Sequence, residues 1–276
     1  KQFLVSDPKS RVIHKATVKD RVVHQAIVNI LEPLFESTFL PHSWSCRKGK
    51  GVDASVNAVH EALERISRYG SNDIWILHGD IRKYFASIDH GILRQQIVSR
   101  IGEDEILTLI DAIFASHAQG LPLGNVTSQL FGNVYLSAFD RWVVEYIRPK
   151  YYARYCDDVV LVDHDPAKLY RSIEPIEAFL CEELRLALHP NKINLQRYCS
   201  GVDWLGSRLF PGGARRMRRI TQKRAWEQID VIVRCLHEGI VDDDYWRSVA
   251  ASYDGVFRRG FASEDREILG ILNAVV

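Results

Sequence analysis

An acidic pair inside an apolar stretch is the feature that most constrains this chain. Tyr151–Asp163 reads YYARYCDDVVLVD, two apolar half-strands separated by Asp157 and Asp158. This pattern predicts a β-hairpin whose turn carries both carboxylates. Adjacent carboxylates repel each other, and burial opposes their ionisation. Divalent cations would relieve both effects, although an Asp-Asp turn taken alone is more often a solvated hairpin tip.

A third carboxylate ends another apolar run. Ile74–Ile81 reads IWILHGDI and predicts a buried strand with Asp80 near its end. A lone aspartate there is more often a helix cap or a loop residue. A two-metal phosphoryl-transfer site, however, needs carboxylates from more than one strand, because two ions about 3.5–4 Å apart clamp the attacking and leaving oxygens. Oxygen ligands suit Mg²⁺, so we predict attack of a 3′-hydroxyl on the α-phosphate of a nucleoside triphosphate.

Helical and strand patterns alternate along the rest of the chain, which predicts an α/β or α+β protein. Glycine-containing loops are predicted at Ser43–Gly51 and Gly120–Gly124, and Thr127 or Ser128 is a candidate cap for the long helix that follows. Residues 1–20 are predicted to form short strands or loop, and 201–210 a strand. Helices are predicted over residues 20–40, 53–68, 93–100, 104–116, 166–188 and most of 211–276.

Composition excludes some classes of protein. With 276 residues, 46% of them hydrophobic, the chain is long enough for one compact catalytic unit with lobes. A net charge of +1 does not mark a nucleic-acid binder, so a local basic stripe is the better test. Five cysteines without a CxxC pair disfavour a disulfide framework or zinc finger and fit a reducing cytoplasm. No apolar run approaches the roughly 18 residues of a membrane span.

Six sequence blocks, in a fixed order, connect these features. They are RVIHKATVKDR from Arg11, SWSCRKGKGVDA from Ser43, HGDIRKYFASIDH from His78, YCDD from Tyr155, LALHPNKINL from Leu186 and GVDWLG from Gly201. In this order they resemble the blocks of the reverse transcriptases. The resemblance implies an RNA-directed DNA polymerase with an α+β right-hand fold. Fingers would come from 1–70 with parts of 90–125, a palm with a small antiparallel sheet backed by helices from 71–210, and a helical thumb from 211–276.

The same resemblance implies roles around the reacting phosphate. Two Mg²⁺ ions, replaceable by Mn²⁺, would be held by Asp80, Ile81 and Asp157, with Asp158 as an acidic neighbour. Lys192 would protonate or neutralise the leaving pyrophosphate, unless it is only a helix-end lysine. The incoming dNTP would contact Arg11, Lys9, Phe85 and Leu123. Phe85 would block a ribose 2′-hydroxyl, although without the family it would be taken for a core aromatic.

Other residues are expected at the template RNA and the cDNA primer. The cluster RRMRRITQKR has six positive residues in ten and predicts a basic helix along the product duplex, or otherwise a solvated face. Gln129 and Asn133, one helical turn apart, would face the minor groove or pack inside. The expected contacts are Arg47, Gln129, Asn133, Trp204, Leu205, Gly206, Arg215, Arg216, Arg218 and Arg219.

The segment Gly120–Gln129, GLPLGNVTSQ, bears on the subfamily. Leu123 and Ser128-Gln129 resemble the enzymes of diversity-generating retroelements, which misincorporate opposite template adenines. That resemblance implies two partners, a structured template RNA and a small basic accessory protein that assembles as a ring. The alternatives are a reverse transcriptase of another retroelement, an antiphage polymerase, and a catalytically idle RNA-binding module.

Overall fold

The structure is a computed structural model that describes residues 2–5, 11–14 and 16–257. For Gln2, Val5, Arg11, Val12 and 254–257 it describes the backbone alone. The strands are β1 Gln2–Val5, β2 Arg11–His14, β3 Trp75–Asp80, β4 Tyr151–Tyr155, β5 Asp158–Asp163, β6 Asn194–Arg197, β7 Val202–Trp204, β8 Ser207–Leu209 and β9 Arg215–Met217. The helices are α1 Val18–Glu36, α2 Val52–Ser67, α3 Tyr84–Ser87, α4 His90–Val98, α5 Asp104–Ala115, α6 Val126–Trp142, α7 Pro166–Arg171, α8 Ile173–Leu184, α9 Arg219–His237 and α10 Asp243–Phe257.

Two compact units make up the chain. The first contains the described residues of Lys1–Ser55 and Trp75–Leu195, and the second those of Val56–Ile74 and Gln196–Val276. These units group the chain by packing, whereas the fingers, palm and thumb were assigned from the family blocks. The boundaries of the three named regions therefore stay a prediction.

A four-stranded sheet is the centre of the first unit, with strand order β4-β5-β3-β6. β3 and β4 both pair antiparallel with β5. β3 and β5 are buried at most positions because both of their faces are covered. Residues of α1, α4, α5, α6 and α8 join β3 and β5 in one continuous core. The predicted antiparallel sheet backed by helices is confirmed.

The long helix α6 begins earlier than predicted. Its N-cap residue is Asn125, and Thr127 and Ser128 lie buried inside the first turn. Neither hydroxyl residue is therefore the cap. The helix ends at Trp142 and continues as a π-helical turn over Val143–Ile147.

A second correction concerns 166–188, predicted as one helix. Two helices, α7 and α8, meet at Ser172, and the second ends at Leu184. Pro175 explains the break, because proline lacks the N–H that a continuous helix would need there and is tolerated in a first turn. Arg185 then takes a left-handed conformation with φ 50° and ends α8.

The second unit is built on the hairpins β7-β8-β9 and on α9 and α10. Met217, Ala225, Ile229, Trp246 and Ala250 form its helical core. The basic cluster was predicted as a helix, but its first three residues form β9 and α9 begins only at Arg219. Among the residues from 16 to 257, no helix is both long and apolar enough to cross a membrane.

Candidate active site

Strand pairing brings three carboxylates to one end of the central sheet. Asp80, the last residue of β3, is the register partner of Asp158, the first residue of β5. Tyr155 and Asp158 close the β4-β5 hairpin, so Cys156 and Asp157 form its two-residue turn. The N–H of Ile81 donates to the Asp157 carbonyl at 3.0 Å and ties the turn to β3. Carboxylates far apart in the sequence thus become neighbours.

Asp157 shows the electrostatic effect of this grouping. Burial, followed by the charges of Asp158 and Asp80, raises the pKa of Asp157 to about 6. Lys192 acts in the opposite direction and favours the ionised form. A carboxyl group surrounded by like charges at a buried position binds either a proton or another cation. The turn is therefore suited to bind a cation.

Lys192 reaches this cluster because a short segment pairs with the end of β3. The N–H of His189 donates to the Asp80 carbonyl at 2.7 Å, and that of Arg82 donates to the Ala187 carbonyl at 2.8 Å. A 3₁₀ turn over Pro190–Lys192 follows. It places the Lys192 Nζ atom 2.5 Å from Asp80 Oδ2.

His78 is a site residue that the sequence analysis missed. Its Nε2 atom lies 3.4 Å from Asp158 Oδ1. His78 and Asp80 are two positions apart on β3, so their side chains point to the same face of the sheet. That alternation was the signal that could have found it.

The residues present fit a magnesium site that is completed by substrate. Among the described residues, no group of three or more His, Cys, Asp and Glu side chains is arranged to hold a metal ion. Mg²⁺ commonly uses only one or two protein carboxylates and fills its shell with water and substrate phosphates. Asp80 and Asp157 would provide two carboxylates. Ile81 has no ligating side chain and would have only its main-chain carbonyl to offer.

Phe85 lies beyond Asp80 on α3 and packs against α6. The ring is half-buried, and a Cβ atom at Gly132 would come within 3.2 Å of its Cε1 atom. The neighbouring Tyr84 is buried and donates from its hydroxyl to the Gly132 carbonyl. Phe85 therefore sits on a stretch of α6 that glycine keeps clear.

The Gly120–Gly124 loop connects Phe85 with β2. The N–H of Leu121 donates to the Phe85 carbonyl at 2.7 Å, and that of His14 donates to the Leu123 carbonyl at 3.0 Å. Gly120 has φ 68°, and a Cβ there would lie 2.5 Å from the Phe85 carbonyl oxygen, so only glycine fits. Leu123 and Phe85 are thus held close to the strand that begins with Arg11. Lys9 lies outside the described residues.

Arg47 was expected at the template, but its guanidinium group is used inside the protein. The side chain is 6% exposed and forms an ion pair with Glu36 at 2.6 Å. Its Nη1 atom donates to the carbonyls of Leu40 and Ser43. These bonds hold the Ser43–Gly51 loop, and they leave little of Arg47 for a template phosphate.

Asn133 likewise packs inside rather than facing a groove. The residue is 3% exposed, and its Nδ2 atom donates to the Ser45 carbonyl at 2.8 Å. Its Oδ1 atom accepts from Ser45 Oγ and Arg154 Nη1, both at 3.3 Å. Of the two expected α6 contacts only Gln129 is exposed, and it lines a cavity of about 180 Å³.

Arg154 is the centre of this internal network. Arg154 and Asp140 are both 0% exposed, and they form a bidentate ion pair with N–O distances of 2.7 and 2.8 Å. Arg154 also donates to Ser43 Oγ at 2.9 Å and to the Cys156 carbonyl at 3.1 Å. The turn that carries Asp157 is therefore fixed to α6 through one buried guanidinium group.

The expected primer contacts lie in the second unit. Trp204 is buried at 1% exposure, whereas Leu205 and Gly206 form the β7-β8 turn with φ 47° and 87°. Two consecutive positive φ values are typical of a tight type I′ hairpin. The turn, not the indole, is the accessible part of this block.

An arginine-lined cavity of about 420 Å³ lies beside this hairpin, within the second unit. Arg208 and Arg216 are register partners on β8 and β9, and both guanidinium groups lie over the Phe210 ring. Arg218 is 3.3 Å from Asp203, and Arg219 begins α9 at the same cavity. Like charges facing each other across two strands are unfavourable without an anion between them, so this surface is suited to phosphate.

The profile of one protein family matches most of the chain. It is described as "Reverse transcriptase (RNA-dependent DNA polymerase)" and matches residues 6–209. The chain belongs to the reverse transcriptase family. The match includes Asp80, Asp157, Asp158 and Lys192.

Two curated relatives of this reverse transcriptase come from bacteria. Protein YkfC of Escherichia coli K12 is 26% identical over 247 residues, which cover 74% of this chain and 64% of YkfC. The group II intron-encoded protein LtrA of Lactococcus lactis is 27% identical over 147 residues, covering 50% of this chain and 23% of LtrA. The chain therefore spans less than two thirds of the length of either relative.

Solved telomerase structures share the fold of this reverse transcriptase. Apo telomerase from Candida tropicalis, truncated from its C-terminal domain, has a TM-score of 0.59 and 11% identity. The match covers 79% of this chain and 54% of that one. Telomerase from Candida albicans, in complex with a fragment of telomeric RNA, has a TM-score of 0.56 over 79% of this chain and 45% of its own. At this identity the likeness supports the right-hand polymerase fold alone.

Proposed function

We propose that this chain is an RNA-directed DNA polymerase that extends a primer along a template RNA. The observation that carries the proposal is the grouping of Asp80, Asp157 and Asp158, with Lys192 bonded to Asp80. Carboxylates on neighbouring strands are the arrangement that two-metal phosphoryl transfer requires. The family membership of residues 6–209 supports the same reaction.

Asp80, Asp157 and the main-chain carbonyl of Ile81 would hold two divalent cations, Mg²⁺ with Mn²⁺ as a substitute. When bound, such ions polarise the α-phosphate and stabilise charge on the attacking and leaving oxygens. Asp158 adds negative charge beside this pair and keeps the pKa of Asp157 high in the absence of cations. Lys192 would neutralise the leaving pyrophosphate or donate a proton to it.

The incoming dNTP would lie between β2 and α6. Arg11 would orient the triphosphate, since a guanidinium group forms paired bonds to phosphate oxygens, and Lys9 is a second candidate for this contact. Phe85 would exclude a ribose 2′-hydroxyl. Its main-chain carbonyl accepts from the N–H of Leu121, and its ring lies beside Gly132 on α6. Leu123, attached to β2 through His14, would lie beside the nascent base pair.

Each unit, taken by itself, offers candidate contacts for template RNA or the cDNA primer. Gln129 is the exposed α6 contact in the first unit. In the second unit, Leu205 and Gly206 would approach the primer end. Arg215, Arg216, Arg218 and Arg219 would contact phosphates without reading sequence.

A primer-extension assay tests the proposal. Wild type is compared with Asp157→Asn on an RNA template with dNTPs and Mg²⁺, and with Asp111→Asn as a control, whose carboxylate forms an exposed ion pair with Arg94. We expect extension by wild type and by the control, and none by Asp157→Asn. Extension by Asp157→Asn would contradict the two-metal assignment. Failure of all three proteins, with the native RNA supplied, would favour a catalytically idle RNA-binding module.

A narrower function, in a diversity-generating retroelement, is favoured by Leu123 and by Ser128-Gln129. Leu123 lacks a hydrogen-bonding group beside the predicted base pair, which would loosen discrimination there. In such a retroelement the partners would be a structured template RNA and a ring-forming basic accessory protein. The likeness to LtrA supports instead an intron-encoded or other retroelement enzyme, and an antiphage polymerase is a further alternative.

The error spectrum separates these readings. Products copied from a defined RNA are sequenced for wild type and Leu123→Gln. Errors concentrated opposite template adenine in wild type, and fewer in Leu123→Gln, would support the diversity-generating reading. Accurate copying by wild type would leave the polymerase and remove this subfamily.

A further inference from the structure

Two cysteines, distant in the sequence, meet beside the catalytic turn. The segment His42–Ser45 runs along the end of β4. The N–H of Arg154 donates to the His42 carbonyl at 3.0 Å, and that of Trp44 donates to the Arg154 carbonyl at 2.9 Å. Ser43 and Arg154 pair as a parallel bridge, and Cys46 and Cys156 follow closely on the two segments.

The surrounding bonds fix this contact. The N–H of Cys156 donates to Ser45 Oγ at 3.0 Å, and its carbonyl accepts from Arg154. Both cysteines have left-handed backbones, with φ 54° at Cys46 and 51° at Cys156, so the chain turns at each of them. The two cysteines therefore lie on adjacent segments, and their thiols interact.

We propose that Cys46 and Cys156 are a site of reversible oxidation, in which hydrogen peroxide converts the two thiols to a disulfide. Cys46 is exposed and would react first, whereas Cys156 is half-buried and would resolve the product. The Cys46 sulfur attacks one peroxide oxygen, the O–O bond breaks, and a sulfenic acid and one water form. The Cys156 sulfur then displaces that hydroxyl as a second water. Both sulfur atoms are oxidised and one peroxide is reduced to two waters.

The disulfide would act on the reaction proposed above, on which this consequence rests. A disulfide requires an S–S distance near 2.05 Å and a dihedral angle near 90°, and the two free thiols must move to reach this geometry. Cys156 directly precedes Asp157, so that movement displaces a metal-ligand candidate. Misplacement of a reacting group by about 1 Å slows catalysis by about 10²-fold. We therefore expect the oxidised protein to extend primers about 10²-fold more slowly, and dithiothreitol to restore the rate.

Peptide mapping of the full chain tests the site without using activity. Wild type, Cys46→Ser and a control Cys181→Ser, which removes another exposed cysteine, are treated with hydrogen peroxide and digested without reduction. A peptide that joins Cys46 to Cys156 in wild type and in the control, and is absent from Cys46→Ser, supports the proposal. Thiols that stay reduced, or that proceed to sulfinic acid without this cross-link, overturn it.

Primer extension by the same samples tests the consequence. Slow extension by oxidised wild type and by the oxidised control, with Cys46→Ser unaffected, supports the switch. A cross-link that leaves extension unchanged overturns the switch while keeping the site. Absence of extension in the reduced proteins would contradict the proposed polymerase activity instead, and the mapping result would still decide the oxidation site.

Discussion

The Nζ atom of Lys192 lies 2.5 Å from Oδ2 of Asp80, although the two residues are 112 positions apart. The ammonium group of Lys192 therefore compensates the negative charge of the Asp80 carboxylate. Within the part of the chain that the structure describes, Asp157 has no such cationic partner within bonding distance, and its pKa is raised. The three carboxylates therefore lie in different electrostatic surroundings.

Lys192→Met should slow primer extension by about 10²-fold and change the KM for dNTP little. A rate change of this size is the lower end of what a positioned proton donor contributes to catalysis. The loss should therefore appear in kcat. Lys192→Arg keeps the charge and should retain part of the rate. Steady-state kinetics on an RNA template measure both. If Lys192→Met has the same kcat as the wild type, Lys192 is a solvated surface residue without a role in the reaction.

The stability of the metal-free protein should depend on pH through Asp157. The pKa of its carboxyl rises from 3.8 to about 6 on folding, so the folded state holds this proton more tightly than the unfolded state. The stability that Asp157 contributes is therefore present below about pH 4 and is lost as the pH rises through about 6. Asp157→Asn cannot lose a proton, so it should gain stability relative to wild type over this range. Urea denaturation at several pH values measures the difference, which should stay constant if the carboxyl is not perturbed.

Phe85→Ala should allow ribonucleotides into the product. Removal of the ring opens the space above Gly132 where a 2′-hydroxyl would lie. The ratio of rNTP to dNTP incorporation should rise by at least about tenfold. That is the lower end of the discrimination that a small steric difference in a pocket provides. Phe85→Tyr keeps the ring and serves as the control. Equal ratios in wild type and Phe85→Ala would make Phe85 a packing residue.

Arg154→Met should destabilise the first unit by about 3–5 kcal/mol, because it leaves the Asp140 carboxylate buried without a cation. The double variant Arg154→Met/Asp140→Leu should regain much of that loss, since no buried charge remains. Denaturant unfolding measures both. A double variant as unstable as the sum of the single changes would show that the guanidinium bonds to Ser43 and Cys156 matter more than the ion pair.

Arg216→Gln should weaken duplex binding and reduce its salt dependence. Each lost phosphate contact lowers the slope of log K against log salt by about 1. Arg234→Gln is a suitable control, since Arg234 lies on α9 outside the basic cluster and pairs with Asp230 at 2.7 Å. Fluorescence anisotropy at several salt concentrations gives the slopes. An unchanged slope for Arg216→Gln would place the product duplex elsewhere.

Local patterns predicted the strands that carry the candidate catalytic carboxylates. The runs Ile74–Leu77 and Val159–Val162 are apolar because their strands are covered on both faces, so the ends of these strands could be read directly from the sequence. The partners of Arg154 could not be read in this way. They come from α6 and the Ser43–Gly51 loop, and only tertiary packing brings those segments together.

The error at Arg215–Met217 has a local cause. The arginine-rich run was interpreted by its charge alone. The alternation of exposed and buried side chains, with Arg216 exposed and Met217 buried, is instead that of a strand. Pro211, Gly212 and Gly213 before the run are typical of a turn into a strand. Asn125 was missed as a cap because Thr127 and Ser128, two equally suitable residue types, follow it.

The pairing of Asp80 with Asp158 makes the site sensitive to chain length rather than to composition. Side chains on a strand alternate between faces, so one residue inserted into Trp75–Gly79 would turn Asp80 away from Asp158 while leaving β3 as apolar as before. A two-residue insertion restores the face but shifts the carboxylate by about 7 Å along the strand. A substitution that keeps the apolar character of Trp75–Leu77 should therefore disturb the site less than the insertion or deletion of one residue in β3.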